Sequence, residues 1–212
     1  MNGESTNLPT DTRFVVIDVE TSGLSSRRDR ILQVAAVEVQ RDGTIVNEWA
    51  THIRPRFGRF GRVGPTHVHG LTAASLGAAP VFRVIAPDLA DRLHGVVVVG
   101  HNVDFDWEFV TRSLRRVGVP LAPAARLCTL DLSRSLDPEK LVRHKLSEVC
   151  ARNGVELANA HDALADARAT AQVLPHLLDQ AGLDPQSLAQ HRAYRSSTTP
   201  GRRRKKKAWW RP

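Results

Sequence analysis

Apolar and polar positions follow two different periods along this chain. The run Phe14-Val15-Val16-Ile17-Asp18-Val19-Glu20 opens with four consecutive apolar residues and reads as a buried strand. Strand side chains alternate between faces, so Asp18 and Glu20 share a face with Phe14 and Val16, while Val15, Ile17 and Val19 fill the other. Residues 31–40 and 44–53 are further β-branched runs, joined by Arg41-Asp42-Gly43, an Asp-Gly turn signal. These three strands are expected to form an antiparallel meander. Residues 96–99 are a short, wholly apolar run of the kind buried in parallel sheets. Residues 126–132 read as another short strand.

Helical spacing governs the rest. Residues 81–93 repeat apolar positions at Phe82, Ile85, Leu89 and Leu93, with Pro87 predicting a bend. Residues 105–117 form a helix ending at Gly118, and residues 141–152 a short helix stopped by Asn153-Gly154. Residues 164–180 form a long helix containing Pro175, with Gly182 beyond its end. Strands first, then strands alternating with helices, predict an α/β fold: a mixed sheet with helices on its faces.

Composition sharpens this picture in two places. The net charge of +8 is not spread over the chain: nine Arg or Lys and no acid lie between Arg192 and Pro212, leaving 21 basic residues against 22 acids before them. The expected organisation is a polar leader at 1–12, one domain at 13–185 and a basic, disordered tail at 186–212. Two cysteines, Cys128 and Cys150, make neither a disulfide framework nor a zinc spacing, which predicts a reducing, cytoplasmic location. No apolar stretch is long enough to span a membrane. The preference for Arg, Ala and Val suggests a GC-rich bacterial genome.

The chemistry lies in three acidic segments. Asp18 and Glu20 end the first strand on one face, where they repel each other unless a cation compensates; the competing reading is a strand running into solvent. In Gly100-His101-Asn102-Val103-Asp104-Phe105-Asp106, Asp106 shares the helix stripe of Val110, Leu114 and Val117, whereas Asp104 lies about 200° away and reads as a helix cap. In the segment from His161 to Arg168, Asp166 shares a stripe with Thr170, Val173, Leu174 and Leu177. Asp162 lies four residues earlier, and spacing alone does not separate the two. His161 is expected on the loop leading into the helix. Acids converging from three segments need cations to stay ionised, and oxygen donors suit Mg²⁺ or Mn²⁺. Two such ions about 3.5–4 Å apart serve in-line phosphodiester chemistry.

These motifs, in this order, resemble the DEDDh branch of the 3′→5′ exonuclease superfamily, to which the proofreading epsilon subunit of bacterial replicative polymerases belongs. The resemblance covers about residues 13–181. It rests on Asp18-Val19-Glu20-Thr21-Ser22-Gly23-Leu24, His101-Asn102-Val103-Asp104-Phe105-Asp106, and His161 with Asp166. Val68-His69-Gly70-Leu71-Thr72 and Cys128-Thr129-Leu130 are further landmarks. Val103 and Ser22 depart from the family's frequent Ala and Thr.

The resemblance implies a ribonuclease-H-like fold. It implies that Asp18, Glu20, Asp106 and Asp166 hold two Mg²⁺ or Mn²⁺ ions and that His161 accepts the proton of the attacking water. It places substrate contacts at Thr21, Ser22, Gly23, Leu24, His69, Asn102 and Phe105. The implied substrate is a single-stranded or frayed 3′ end, with DNA favoured, and the products are nucleoside 5′-monophosphates. A polymerase or another replication or repair protein is a possible partner, and a cytoplasmic, nucleoid-associated location follows. An exoribonuclease or oligoribonuclease is the alternative enzyme, and a degenerate nuclease fold used for binding is the non-enzyme alternative. Arg202 to Lys207 with Trp209-Trp210 combine phosphate-pairing charge and stacking rings, as a nucleic-acid tether would. The Arg-rich loop 54–62, with Phe57 and Phe60, is a weaker candidate for strand contact.

Overall fold

A computed structural model describes residues 12–56 and 63–196. The leader, most of the Arg-rich loop and the Arg202–Lys207 run with its Trp pair lie outside the described residues. The six strands are β1 (Phe14–Thr21), β2 (Ile31–Val39), β3 (Ile45–His52), β4 (Val97–Gly100), β5 (Ala125–Cys128) and β6 (Tyr194–Ser196). The helices are α1 (Thr66–His69), α2 (Phe82–Arg92), α3 (Val103–Val117), α4 (Thr129–Ser135), α5 (Leu146–Arg152), α6 (Ala163–Gln180) and α7 (Pro185–Gln190). One mixed sheet runs β3-β2-β1-β4-β5-β6, in which β1, β4 and β5 are mutually parallel and β2, β3 and β6 antiparallel to their neighbours.

The meander forms as the pattern predicts. At its turn the Thr44 N–H donates to Asp42 Oδ1 (2.9 Å), and Gly43 takes a φ of 89° that side-chain-bearing residues disfavour. The alternation along β1 divides the core in two. Phe14 and Val16 join Leu132, Val149 and the α6 residues Ala167, Leu174 and Leu177 on one face. Val15, Ile17 and Val19 join Ile85 and Leu89 of α2 and Phe109, Val110 and Leu114 of α3 on the other. Helices therefore cover both faces of a sheet whose central strands are almost wholly buried.

Several elements differ from expectation. Residues 126–132 are not one strand: β5 ends at Cys128 and α4 starts at Thr129. The helix expected over 141–152 begins only at Leu146: Lys145 is extended (ψ 154°), and the Arg143 and His144 carbonyls bond Arg152 and His101 instead of helix N–H groups further along the chain. The tail's first residues are structural: β6 closes the sheet beside β5, with Arg195 6% exposed. Asp104 does not cap α3. Asn102 stands at the cap, and Asp104 lies in the first turn, paired with Arg126 (3.4 Å) and Arg195 (3.3 Å). Among the described residues no helix is long and apolar enough to cross a membrane.

Candidate active site

Three elements end at one place. β1 outruns its parallel partner: pairing with β4 covers Phe14–Val16 only, so among the described residues the far end of β1 has no strand on that side. The α3 helix starts just past β4 and sends Asp106 into the gap, where its Oδ1 accepts the Val19 N–H at 3.1 Å. From the opposite face, α6 begins beside the same strand end. Its cap is Asp162, whose Oδ1 accepts the Ala165 N–H (3.0 Å) and whose Oδ2 accepts from Gln33 Nε2 (2.8 Å). Gln33 also accepts the Ala163 N–H (3.2 Å) and stands opposite Glu20 in the β1–β2 register, so it ties the α6 start to the acid-bearing strand. Capping occupies Asp162, and Asp166 one turn later lines the cleft.

The cleft encloses about 860 Å³ and is lined by Asp18, Glu20, Asp106, Asp166 and His161. Thr21, Gly23 and Leu24 form one wall, with His69, Asn102 and Phe105 also facing the space. Ser22 does not line it. Its backbone N–H donates to the Arg30 carbonyl and its Oγ accepts the Arg30 N–H, so it fastens the base of the 21–30 loop. Close packing holds that loop: a Cβ on Gly23 would meet the Asp29 carboxylate at 2.6 Å, the group that also accepts the Ser25 N–H. His69 is buried, and its Nδ1 accepts the Leu71 N–H (3.0 Å), which leaves the ring proton on Nε2.

The acids are held in an unfavourable state. Burial, then Asp106, Asp166 and Glu20, push Asp18 well above the usual carboxylate range. Burial, then Asp166 and Asp106, raise Glu20 to about 9. Burial raises Asp106 to about 8 and Asp166 to about 6. A carboxyl raised by folding favours the folded state at low pH and loses that contribution as pH climbs through its folded value. The metal-free protein should therefore lose stability between about pH 4 and about pH 9, the window opened by Glu20, Asp106 and Asp166. Added Mg²⁺ or Mn²⁺ should restore it most at the alkaline end. Thermal melts across pH, with chelator and with metal, measure both slopes; a metal-free protein that gains stability over this window would refute the electrostatic picture.

The residues present suit a divalent cation. Asp166 Oδ1 is buried with no hydrogen-bond partner among the described residues, and ligand atoms of Glu20, His161 and Asp166 lie within 4.8 Å of one another. His161 has a positive φ of 69° and donates its backbone N–H to Asp166 Oδ2 at 3.3 Å. Burial lowers its imidazole pKa, so the ring is a neutral acceptor near neutral pH.

Sequence reasoning missed the far wall. Arg134, Arg143, His144 and Lys145 also line the cleft. His101 Nε2 bonds the His144 carbonyl at 2.8 Å, and burial drives its pKa to about 4, so His101 is a neutral strut. No local period marks these residues.

Residues 15–174 match the family model described as Exonuclease, RNase_T. The PolC-type DNA polymerase III of Clostridium perfringens is 32% identical over 77% of this chain, and that of Oceanobacillus iheyensis 33% over 84%. The chain spans about a tenth of the length of these relatives (11% and 12%). Exonuclease X, solved in complex with 5′ overhanging duplex DNA, superposes with a TM-score of 0.63 at 25% identity, over 84% of this chain and 98% of that one. Exonuclease I superposes with a TM-score of 0.74 at 22% identity, over 86% of this chain and 44% of that one, a likeness of fold. The fold is ribonuclease-H-like, and the chain belongs to the exonuclease family.

Proposed function

We propose that this protein is a divalent-metal-dependent 3′→5′ exonuclease that removes nucleoside 5′-monophosphates from DNA ends. One observation carries the reading: four acids and a histidine, drawn from β1, α3 and the α6 start, line one cleft. Asp18, Glu20, Asp106 and Asp166 would hold two Mg²⁺ or Mn²⁺ ions. Bound there, the ions would stabilise charge on the scissile phosphate and on the leaving 3′ oxygen. His161 takes the proton from the attacking water at a ring nitrogen. Leu24 and Phe105 offer apolar contact to the terminal base, and Thr21, Gly23 and Asn102 surround its sugar. His69, which lines the same cleft, would contact this nucleotide.

DNA is favoured because Exonuclease X was solved with DNA and the curated relatives are DNA polymerases. A separate polymerase or repair protein is the corresponding partner, and the cytoplasm, at the nucleoid, the corresponding location. End-labelled single strands of matched DNA and RNA sequence test the reading. The expected result is release of single 5′-monophosphates from the 3′ end of DNA, dependent on Mg²⁺ or Mn²⁺ and abolished by chelator. Faster digestion of RNA would make the protein an exoribonuclease. Absence of cleavage with either polymer and either metal would leave a binding module.

A further inference from the structure

The cleft has a charge asymmetry that the catalytic residues do not explain. Its floor is acidic and repels a polyanion. Among the described residues, the Arg and Lys side chains that line it are Arg134, Arg143 and Lys145, all from one side. Arg134 pairs with Asp131 at 3.7 Å. Arg143 and Lys145 are exposed and stand on the strap of residues 137–145 between α4 and α5.

This strap has no regular secondary structure, yet it is pinned along its length. Asp137 accepts from the N–H groups of Leu141 and Val142 and bonds His144 Nε2 at 3.1 Å. The other nitrogen of His144 bonds Ser133 Oγ of α4 at 2.9 Å. The His144 carbonyl bonds His101, and the Arg143 carbonyl accepts from Arg152 Nη1 of α5 at 2.7 Å. Lys140 holds a positive φ of 62°, a conformation that persists where surrounding bonds over-determine it. Such a network would be superfluous for a solvated linker. It fixes the backbone from which Arg143 and Lys145 project.

We infer that Arg143 and Lys145 form a phosphate-binding wall for the single strand beyond the scissile linkage, with Asp137 and His144 as positioning residues that hold the wall in place. The inference rests on the exonuclease reading for which strand is bound. Long side chains on a fixed backbone suit this task, because a phosphate contact is ionic and independent of base sequence. The neighbouring acid, Glu139, is exposed at the outer turn of the strap.

The double variant Arg143→Ala/Lys145→Ala tests this in two assays. Fluorescence anisotropy with labelled oligodeoxythymidylate should show binding weakened about tenfold at low salt, and the slope of log K against log salt should flatten by about 1.4. Hydrolysis of the 4-nitrophenyl ester of thymidine 5′-phosphate, which has no strand beyond the scissile linkage, should proceed at the wild-type kcat and KM. Asp137→Ala supplies an independent sign. Removing a negative charge should tighten polyanion binding by simple electrostatics, whereas loosening the strap should weaken it, again with the ester unaffected. Unchanged oligonucleotide affinity and salt slope in the double variant, or equal losses on oligonucleotide and ester, would overturn the inference. Failure of the wild type to hydrolyse either substrate would instead overturn the exonuclease reading, and the anisotropy arm would still decide whether the strap binds the strand.

Discussion

Replacing Asp106 by Asn should cut nuclease activity by more than about 10³-fold, beyond the loss from one neutral oxyanion donor, while raising the melting temperature of the metal-free protein. Replacing Asp104 by Ala should instead lower the melting temperature and leave activity near wild type. The two acids sit two residues apart in the first turn of α3 and do opposite things. Asp106 is 4% exposed, raised to about 8 by burial, and neutralised in part by the Val19 N–H. Asn keeps that hydrogen bond and removes a buried negative charge, so the metal-free fold gains above neutral pH. The same change would remove one of the proposed anionic metal ligands, so the chemistry should slow. Asp104 instead compensates Arg126, whose side chain is 3% exposed, and bonds Arg195 of β6. Its loss leaves a buried guanidinium short of a partner, at a cost of about 3 kcal/mol. That corresponds to a fall of about 6–12 °C in Tm for a chain of this size. Activity of the folded Asp104 variant should stay near wild type. Melts and turnover on the same six samples, wild type and both variants with and without Mn²⁺, separate the roles. Equal loss of activity in both variants would sink the distinction.

The contrast also shows what kind of information the chain displays locally. The helical stripe Asp106, Val110, Leu114 exposed the orientation of Asp106 because a period of 3.6 is a property of neighbouring residues. The same holds for Asp166 with Thr170 and Leu174, and for the alternation that put Asp18 and Glu20 on one face. The placement of Asp104 depended on Arg126 and Arg195, which are 22 and 91 residues away. No periodicity encodes such a pairing, and an acid at a helix start resembles a cap whether or not it is one. Arg195 misled for a related reason. A cation in a polar, basic segment reads as solvated, yet Asp104 and Asp131 draw it into the edge of the sheet.

The strap misled through its apolar residues. Leu141 and Val142 extend the stripe of α5 in sequence, but they are 77% and 44% exposed. Asp137 ties down their backbone N–H groups, and the extended Lys145, with the Arg143 and His144 carbonyls bonded to Arg152 and His101, keeps the helix from growing backward. Gln33 illustrates a different limit. On β2 it is one of two polar residues, with Glu38, in an otherwise apolar strand, unremarkable until the register sets it opposite Glu20 and against the start of α6. The four acids of the cleft were legible because each lies on a periodic element. The groups that hold those elements in register were not.

Loss of the His161 imidazole should slow the chemical step by about 10²–10⁴-fold, the usual contribution of a positioned general base, with little change in KM. Backbone geometry complicates the choice of variant. The φ of 69° at His161 is left-handed, which costs Ala about 1–2 kcal/mol and Asn much less. An Ala variant therefore mixes strain with lost chemistry, whereas His161→Asn keeps the turn and the backbone N–H that reaches Asp166 Oδ2. Both should lose rate, because neither side chain accepts a proton near neutral pH, and His161→Asn reads that loss without the added strain. The pH profile supplies the decisive sign. Burial lowers the His161 pKa below its ordinary value, so the wild-type rate should hold through neutral pH and fall as the ring protonates on the acidic side. That limb should flatten in the Asn variant. Single-turnover rates across pH, measured with saturating Mn²⁺, read the step directly. If His161→Asn retains the wild-type rate and its acidic limb, the proton goes elsewhere and His161 serves only to place Asp166.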